Sequence, residues 1–159
     1  MTPRRNLILA VLALVLIPLP GRADPSRSLA QVVKAEPEFS TLARALEAAG
    51  LESALAGDAA TLLAPTNEAF ARLPAGKFDE LLRPENRDEL TALLRRHVVA
   101  GKLGRDELKK RHSLTTLDGQ AIGVRLERGH LVVGEARVGN RERVAANGRV
   151  FALDNVLLP

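Results

Sequence analysis

Residues 61–70 read Thr-Leu-Leu-Ala-Pro-Thr-Asn-Glu-Ala-Phe and predict a strand followed directly by a helix. Its first four residues are small or apolar and predict a short buried strand. Pro65 has no backbone N–H and cannot continue a central ladder, so we expect the strand to end there. The Thr66 hydroxyl is suited to cap a helix, and Glu68 would occupy the first turn, where the helix dipole favours negative charge. Phe70 would then pack back onto the strand, so that one turn joins a sheet to a helix.

Two later stretches carry further recognisable patterns. Residues 93–101 read Leu-Leu-Arg-Arg-His-Val-Val-Ala-Gly, and residues 147–159 read Asn-Gly-Arg-Val-Phe-Ala-Leu-Asp-Asn-Val-Leu-Leu-Pro. Together with residues 61–70, they resemble in the same order the signature motifs of fasciclin (FAS1) domains. Asn67 stands where the family more often has Asp, and Arg96 stands where it has Tyr. Three motifs in order are more specific than any one of them, and the resemblance covers residues 28–159.

The resemblance implies an α+β fold, the FAS1 wedge-shaped β-sandwich with helices packed along one side. In that fold the strand of residues 61–64 and the closing strand both lie in the core. The motif positions would then have structural roles. They are Pro65, Thr66, Asn67, Phe70, His97, Asn147, Gly148, Asp154 and Pro159.

The residue patterns independently favour helices first and strands later. The strongest helix is predicted over residues 87–98, where Leu90, Leu94 and His97 fall on one apolar stripe. Ser40 or Thr41 is expected to cap an earlier helix. Helices in the first two-thirds followed by strands from residue 113 onward indicate an α+β layering.

Turn signals separate the predicted strands. Asp118-Gly119 and Asn147-Gly148 are strong hairpin dipeptides, because both central positions of that turn favour positive φ. Arg128-Gly129 and Gly139-Asn140 are weaker turn signals. These dipeptides predict an antiparallel arrangement for the last third of the chain.

The first 23 residues are typical of a cleaved signal peptide. Arg4 and Arg5 form a basic start, residues 7–19 are apolar except for one proline, and Gly21-Arg22-Ala23 offers small residues for cleavage. As a helix the apolar run would span about 20 Å, less than the roughly 30 Å hydrocarbon core of a bilayer. We therefore expect an exported protein, periplasmic or secreted, with a polar lead at 24–27, a domain at 28–159 and no transmembrane segment in the mature chain.

The charge balance argues against nucleic acid as a partner. Of 23 basic residues, three lie in the expected signal peptide, which leaves 20 against 19 acidic residues. A nearly neutral exported domain without Trp or Tyr is not expected to bind nucleic acid. The chain has no cysteine, so it can have neither a disulfide nor a lipid-modified cysteine.

No catalytic, metal or cofactor site is expected. His97, His112 and His130 are the only histidines, and none has a second ligand at metal-binding spacing. The chain has no Gly-x-Ser-x-Gly motif, no cysteine nucleophile and no phosphate-binding glycine loop. The sequence therefore predicts a protein that is not an enzyme.

Two sets of residues are candidates for binding. In FAS1 domains, a Tyr-His pair at the position of Arg96 and His97 is tied to receptor adhesion, and here the Tyr is absent. Since His97 lies on the apolar stripe, we interpret it as a buried imidazole bonded to backbone, Thr66 or Asn67, with recognition as the alternative. Lys109-Lys110-Arg111-His112 could bind acidic polysaccharide or anionic lipid headgroups, or could simply neutralise the C-terminus of its own helix.

The resemblance implies a non-enzymatic role in cell adhesion or in cell-envelope and matrix interactions. The partner would be a cell-surface or envelope protein or polysaccharide, bound through an exposed sheet edge or the loops around residues 61–70. The alternative is a carrier of a small lipophilic ligand in an apolar pocket of the same fold. A hydrolase would need paired carboxylates about 5–10 Å apart, and no spacing in the sequence requires such a pair.

Overall fold

The computed structural model describes residues 27–158. The expected signal peptide, residues 24–26 of the polar lead and the motif residue Pro159 lie outside this range. Within it, the α-helices are α1 Leu29–Ala35, α2 Ser40–Ala49, α3 Asn67–Ala71, α4 Lys77–Leu81, α5 Arg87–Arg95 and α6 Arg105–Lys109. Short 3₁₀ helices cover Pro37–Phe39, Ala54–Ala56 and Pro84–Asn86.

The strands of the same part of the chain are β1 Ala60–Pro65, β2 Val98–Ala100, β3 Ser113–Thr115, β4 Ala121–Glu127, β5 His130–Val133, β6 Ala136–Ala145 and β7 Gly148–Leu153. They follow one another in the order β2-β1-β7-β6-β5-β4-β3. β1 and β7 are parallel, and the other pairs are antiparallel. The last third of the chain is therefore an antiparallel meander, as the turn signals predicted.

The parallel pair of β1 and β7 lies at the centre of the molecule. Leu62, paired with Val150, packs with the helices in one core, whereas Leu63, paired with Phe151, packs in a second core inside the sandwich. A parallel pair of strands is normally covered on both faces, which explains why β1 reads as a continuous apolar run. The prediction that the first-motif strand and the closing strand both lie in the core is confirmed.

The two ends of the strand order approach one another and close the sandwich. Val99 of β2 forms an isolated antiparallel bridge with Thr116, just after β3, and the N–H of Leu117 donates to the Val98 carbonyl at 2.9 Å. Helices α1, α2 and α5 pack along the outer face of the β1–β7 layer. The predicted α+β FAS1 sandwich with helices along one side is thus confirmed.

Two helix boundaries differ from the prediction. α5 ends at Arg95, so His97 and Val98 do not continue its apolar stripe. The chain turns there because the His97 carbonyl accepts the Leu63 N–H at 2.7 Å and Val98 begins β2. Neither Ser40 nor Thr41 is the N-cap of α2, because that helix directly follows the 3₁₀ turn and its N-cap is Phe39.

The turn signals also needed correction. The weaker dipeptide, Arg128-Gly129, forms a two-residue hairpin loop with both φ angles positive, +49° and +82°. At Asn147-Gly148, one of the two dipeptides expected to be strong, neither residue has positive φ. Glycine is required at 148 for a different reason: a Cβ atom there would lie 1.7 Å from the Ala60 carbonyl oxygen.

The other two dipeptides behave differently from one another. At Asp118-Gly119, between β3 and β4, only the glycine has positive φ, +83°. Gly139-Asn140 is not a turn but lies inside β6, at the irregularity in pairing between Val138 and Glu142. A bulge of this kind bends a strand without reversing the chain, so the sequence signal was misread.

Candidate functional site

The first motif forms the junction between the sheet and the helical layer. The Thr66 hydroxyl accepts the Ala69 N–H at 3.3 Å and so caps α3, as predicted. The Thr66 backbone N–H donates to the Leu153 carbonyl at 3.1 Å, which attaches the start of α3 to the end of β7. Pro65 is the last residue of β1, and Phe70 is buried in the helix-side core.

Asn67 connects this junction to α2. Its Oδ1 accepts the Thr41 N–H at 3.0 Å, which satisfies an amide that no local side chain caps. Its Nδ2 donates to the Pro37 carbonyl and to the Ser40 hydroxyl, each at 3.0 Å. A carboxylate could replace the acceptor but could not donate, so Asn is the residue that satisfies all three partners.

His97 is buried, with 1% of its surface exposed. Its Nε2 accepts the Leu157 N–H at 3.0 Å, so the ring proton lies on Nδ1, which donates to the Leu93 carbonyl at 2.7 Å. Burial lowers the pKa of His97 to about 4, which keeps the imidazole neutral near pH 7. Its partners are backbone groups rather than Thr66 or Asn67, and the ring presents no surface to a macromolecule.

Arg96, at the position of the family's Tyr, is directed into the seam that closes the sandwich. Its guanidinium lies 3.7 Å from the Asp118 carboxylate, and the two side chains are 18% and 15% exposed. Burial alone would raise the pKa of Asp118, but hydrogen bonds from the Thr116 hydroxyl and the Gln120 N–H, together with Arg96, hold it below its usual value. Arg96 therefore serves as one half of a largely buried ion pair.

Asn147 holds α1 against the sheet. Its Oδ1 accepts the Leu29 N–H at 3.0 Å, and its Nδ2 donates to the carbonyls of Leu55 and Asp58 at 2.7 and 3.3 Å. These partners lie on two segments distant from Asn147 in sequence, α1 and residues 55–58. The Asn of the closing motif is thus a hydrogen-bonding centre for the fold, a more specific role than the turn and motif position that the sequence indicated.

An open groove of about 210 Å³ lies where the first and closing motifs meet. We call it the junction groove. Its lining residues are Thr66, Glu68, Arg137, Val138, Gly139, Ala152, Leu153 and Asp154. Asp154 holds one wall in place, because its Oδ1 accepts the Arg137 N–H at 2.7 Å and its Oδ2 lies 3.9 Å from Arg72.

Two charged residues of the junction groove were not among the predicted site residues. Glu68 and Arg137 are both exposed, and they place an acidic and a basic side chain along the same groove. The sequence identified Glu68 only as a favourable charge at a helix start, and nothing in it singled out Arg137. Their proximity depends on the pairing of β6 with β7, which brings Val138 opposite Leu153.

The predicted basic candidates lie elsewhere. Lys109, Lys110 and Arg111 are all exposed, at the end of α6 and in the segment that leads to β3. None of them lines the junction groove. The sequence-predicted candidates therefore separate into the buried His97, the largely buried Arg96 and an exposed cluster.

Two open grooves of the described residues are both small. A second open groove, of about 280 Å³, is lined by Arg44, Glu47, Ala48 and Leu82. Both volumes fall below the roughly 300–1,000 Å³ typical of ligand pockets. These grooves give no support to the lipophilic-carrier alternative.

Two further features of residues 27–158 bear on function. Within that range, no group of three or more His, Cys, Asp or Glu side chains is arranged to hold a metal ion. No helix of the described region has the length and apolarity to cross a membrane.

Comparison with known proteins gives a consistent result. A sequence profile of the Fasciclin domain matches residues 37–159. Protein sll1483 of Synechocystis sp. is 37% identical over 137 residues, covering 86% of this chain and 76% of that protein. Immunogenic protein MPB70 of Mycobacterium bovis is 36% identical, covering 77% of this chain and 64% of its own.

More distant matches include larger animal proteins. The transforming growth factor-beta-induced protein ig-h3 of Sus scrofa is 32% identical over 84% of this chain, which spans only 20% of that protein. A solved FAS1 domain pair from the insect cell adhesion molecule Fasciclin I superposes with a TM-score of 0.73 at 16% identity, over 85% of this chain and 52% of the other. The profile match and the relatives show that the chain belongs to the fasciclin (FAS1) family.

Proposed function

We propose that this protein is an exported, non-enzymatic adhesion domain that binds a protein or polysaccharide of the cell envelope or cell surface through the junction groove. One observation supports this proposal above the others. The two family motifs meet at a groove whose exposed charges, Glu68 and Arg137, are free to face a partner, whereas His97 and most of Arg96 are buried.

The geometry of the junction groove suits contact with a macromolecule better than capture of a small molecule. It is open and shallow, so it could receive one or two protruding groups of a larger partner. The fold supports the walls on both sides, because Thr66 is attached to Leu153 and Asp154 is attached to Arg137. A preformed surface of this kind loses little conformational entropy on binding.

The relatives are consistent with an adhesive role. The superposed structure is that of an insect cell adhesion molecule. Export is consistent with the predicted signal peptide, and it would place the groove outside the cytoplasm, where adhesion takes place. The absence of a clustered metal-binding set within residues 27–158 and the small groove volumes offer no support for an enzymatic alternative.

The test exchanges the charges of the groove without changing the net charge. The variant Glu68→Arg/Arg137→Glu should reduce saturable binding of the protein to intact cells or isolated envelopes of the native host by about tenfold, since misplaced charges repel the partner. The matched control Arg83→Glu/Glu85→Arg changes two exposed residues on the helical side and should bind normally. Equal binding by both variants, with both still folded, would exclude the junction groove as the adhesive surface.

A further inference from the structure

One corner of the sandwich combines exposed positive charge with an exposed leucine. We call it the basic corner. It consists of Lys109, Lys110, Arg111, Arg125, Leu126 and Arg128. Leu126 is 57% exposed, which is the highest value among the large apolar residues found exposed in the described chain.

The fold brings the members of the basic corner together from two segments. Leu108 is fully buried in the sandwich core with Val124 and anchors the end of α6 against β4. The Val124 N–H donates to the His112 carbonyl at 2.9 Å, which extends the pairing of Ser113 with Gly123 by one residue. The segment of residues 109–112 therefore approaches β4 at Val124. The residues of β4 that follow Val124 are exposed.

Leu126 protrudes at the open end of the sandwich. On β4, Ile122 and Val124 are buried in the inner core, and Leu126 is the next residue of the same face. Its cross-strand partner Leu131 is completely buried. An isolated exposed leucine needs no explanation, but this one ends an apolar face and lies between Arg125 and Glu127 in the chain, with Arg128 at the tip of the same hairpin.

The positive charges of the basic corner are poorly neutralised. Within residues 27–158, no salt bridge involves Lys109, Lys110 or Arg111, and the pair of Arg125 with Glu127 is 3.6 Å apart with both side chains half exposed. Such a pair is strongly screened and contributes little. The corner therefore presents five exposed cations to solvent, of which only Arg125 has an ion-pair partner within the described residues.

Arg128 provides a second, independent observation. It is the only non-glycine residue of the described chain with positive φ, +49°, and it forms the tip of the hairpin that carries Leu126. Asn, Asp or Gly is favoured at this position of a two-residue hairpin loop. The two-residue loop requires the positive φ, yet this position holds a long exposed cation instead of a residue that the loop favours, and this motivates a functional role for Arg128.

We propose that the basic corner binds the surface of an anionic bilayer, with its cations at the lipid phosphates and Leu126 inserted into the interface. Basic side chains near an apolar side chain are the chemistry by which a protein lies on a membrane without spanning it. An acidic polysaccharide would use the charges but not the leucine. This surface shares no residue with the junction groove, so the inference goes beyond the proposed adhesive function and does not depend on it.

The test measures co-sedimentation with vesicles of equal parts phosphatidylglycerol and phosphatidylcholine. All proteins are made from the full chain, and intact mass establishes that the compared preparations share one N-terminus. Since each cation near an anionic surface contributes about 1 kcal/mol, K109Q/K110Q/R111Q should partition about 100-fold more weakly. The control R44Q/R83Q/R95Q removes three exposed arginines from the helical side and should change partitioning less than threefold. Equal losses in both triple variants would overturn the proposal.

A second arm distinguishes a bilayer from a soluble polyanion. The variant Leu126→Ser should reduce binding to the same vesicles several-fold and leave binding to dextran sulfate unchanged. Because Leu126 is exposed, this variant should keep its fold, which thermal unfolding checks. If Leu126→Ser binds vesicles as tightly as the unchanged chain, the surface binds polyanions in general and the bilayer assignment is wrong.

Discussion

The Nε2 atom of His97 accepts a hydrogen bond from the backbone N–H of Leu157 at 3.0 Å. This contact joins residues sixty positions apart, and it leaves Nδ1 to bond the Leu93 carbonyl at the end of α5. One neutral ring therefore connects the helical layer, the start of β2 and the C-terminal segment. This arrangement assigns His97 a structural role.

Replacement of His97 should destabilise the fold without creating or removing a binding surface. We expect His97→Ala to lower the free energy of unfolding by about 3 kcal/mol, because it leaves two buried backbone groups without partners and opens a cavity. Urea unfolding followed by circular dichroism measures the loss. His97→Gln, which can both donate and accept, should lose less. An Ala variant as stable as the unchanged protein would contradict this role.

The same buried imidazole makes stability depend on pH. The pKa of His97 is about 4 in the folded protein, because of burial, and about 6.5 when unfolded. Between these values only the unfolded chain takes up the proton, so stability falls as pH falls from about 6.5 toward 4. The full effect is about 3 kcal/mol. In His97→Gln this component should vanish, so unfolding of both proteins at pH 7 and pH 4.5 checks the sign and the assignment.

Gly148 tests the central parallel pair of strands. Because a Cβ atom there would lie 1.7 Å from the Ala60 carbonyl oxygen, Gly148→Ala should force β1 and β7 apart and lower stability by at least about 3 kcal/mol. Gly123 is the matched control, since it also lies in a strand and a Cβ atom there meets nothing within 4 Å. Gly123→Ala should change the unfolding free energy by less than about 0.5 kcal/mol. Similar losses at both positions would show that strand glycines are needed for another reason.

The sequence predicted the features that depend on neighbouring residues. The end of β1 at Pro65 and the cap by Thr66 follow from local chemistry, and the structure has both. The order of helices and strands followed from periodicity. The family motifs then supplied the arrangement of the sandwich, which no local signal could have given.

Features that depend on distant residues were missed. The groove position of Arg137 requires the pairing of β6 with β7, and the burial of Arg96 requires Asp118 on the opposite side of the seam. Arg143 was not singled out by the sequence, yet it lies over the Phe39 ring at 5.1 Å and pairs with Glu36 and Glu38. Neither the periodicity nor the composition of a single sequence predicts these contacts.

The hairpin tip allows stability and membrane binding to be separated. Asn tolerates positive φ better than Arg, so Arg128→Asn, which creates an Asn-Gly turn, should raise the unfolding free energy by about 0.5–1 kcal/mol. Arg128→Lys keeps both the charge and the strain and should leave stability unchanged. If the Arg128 cation contributes to membrane binding by the basic corner, the Asn variant should be more stable yet bind anionic vesicles about fivefold more weakly. The Lys variant should match the unchanged chain in both stability and vesicle binding. Thermal unfolding and co-sedimentation of the three proteins make the comparison, and an Asn variant that is no more stable than the Lys variant would show that Arg128 carries no strain.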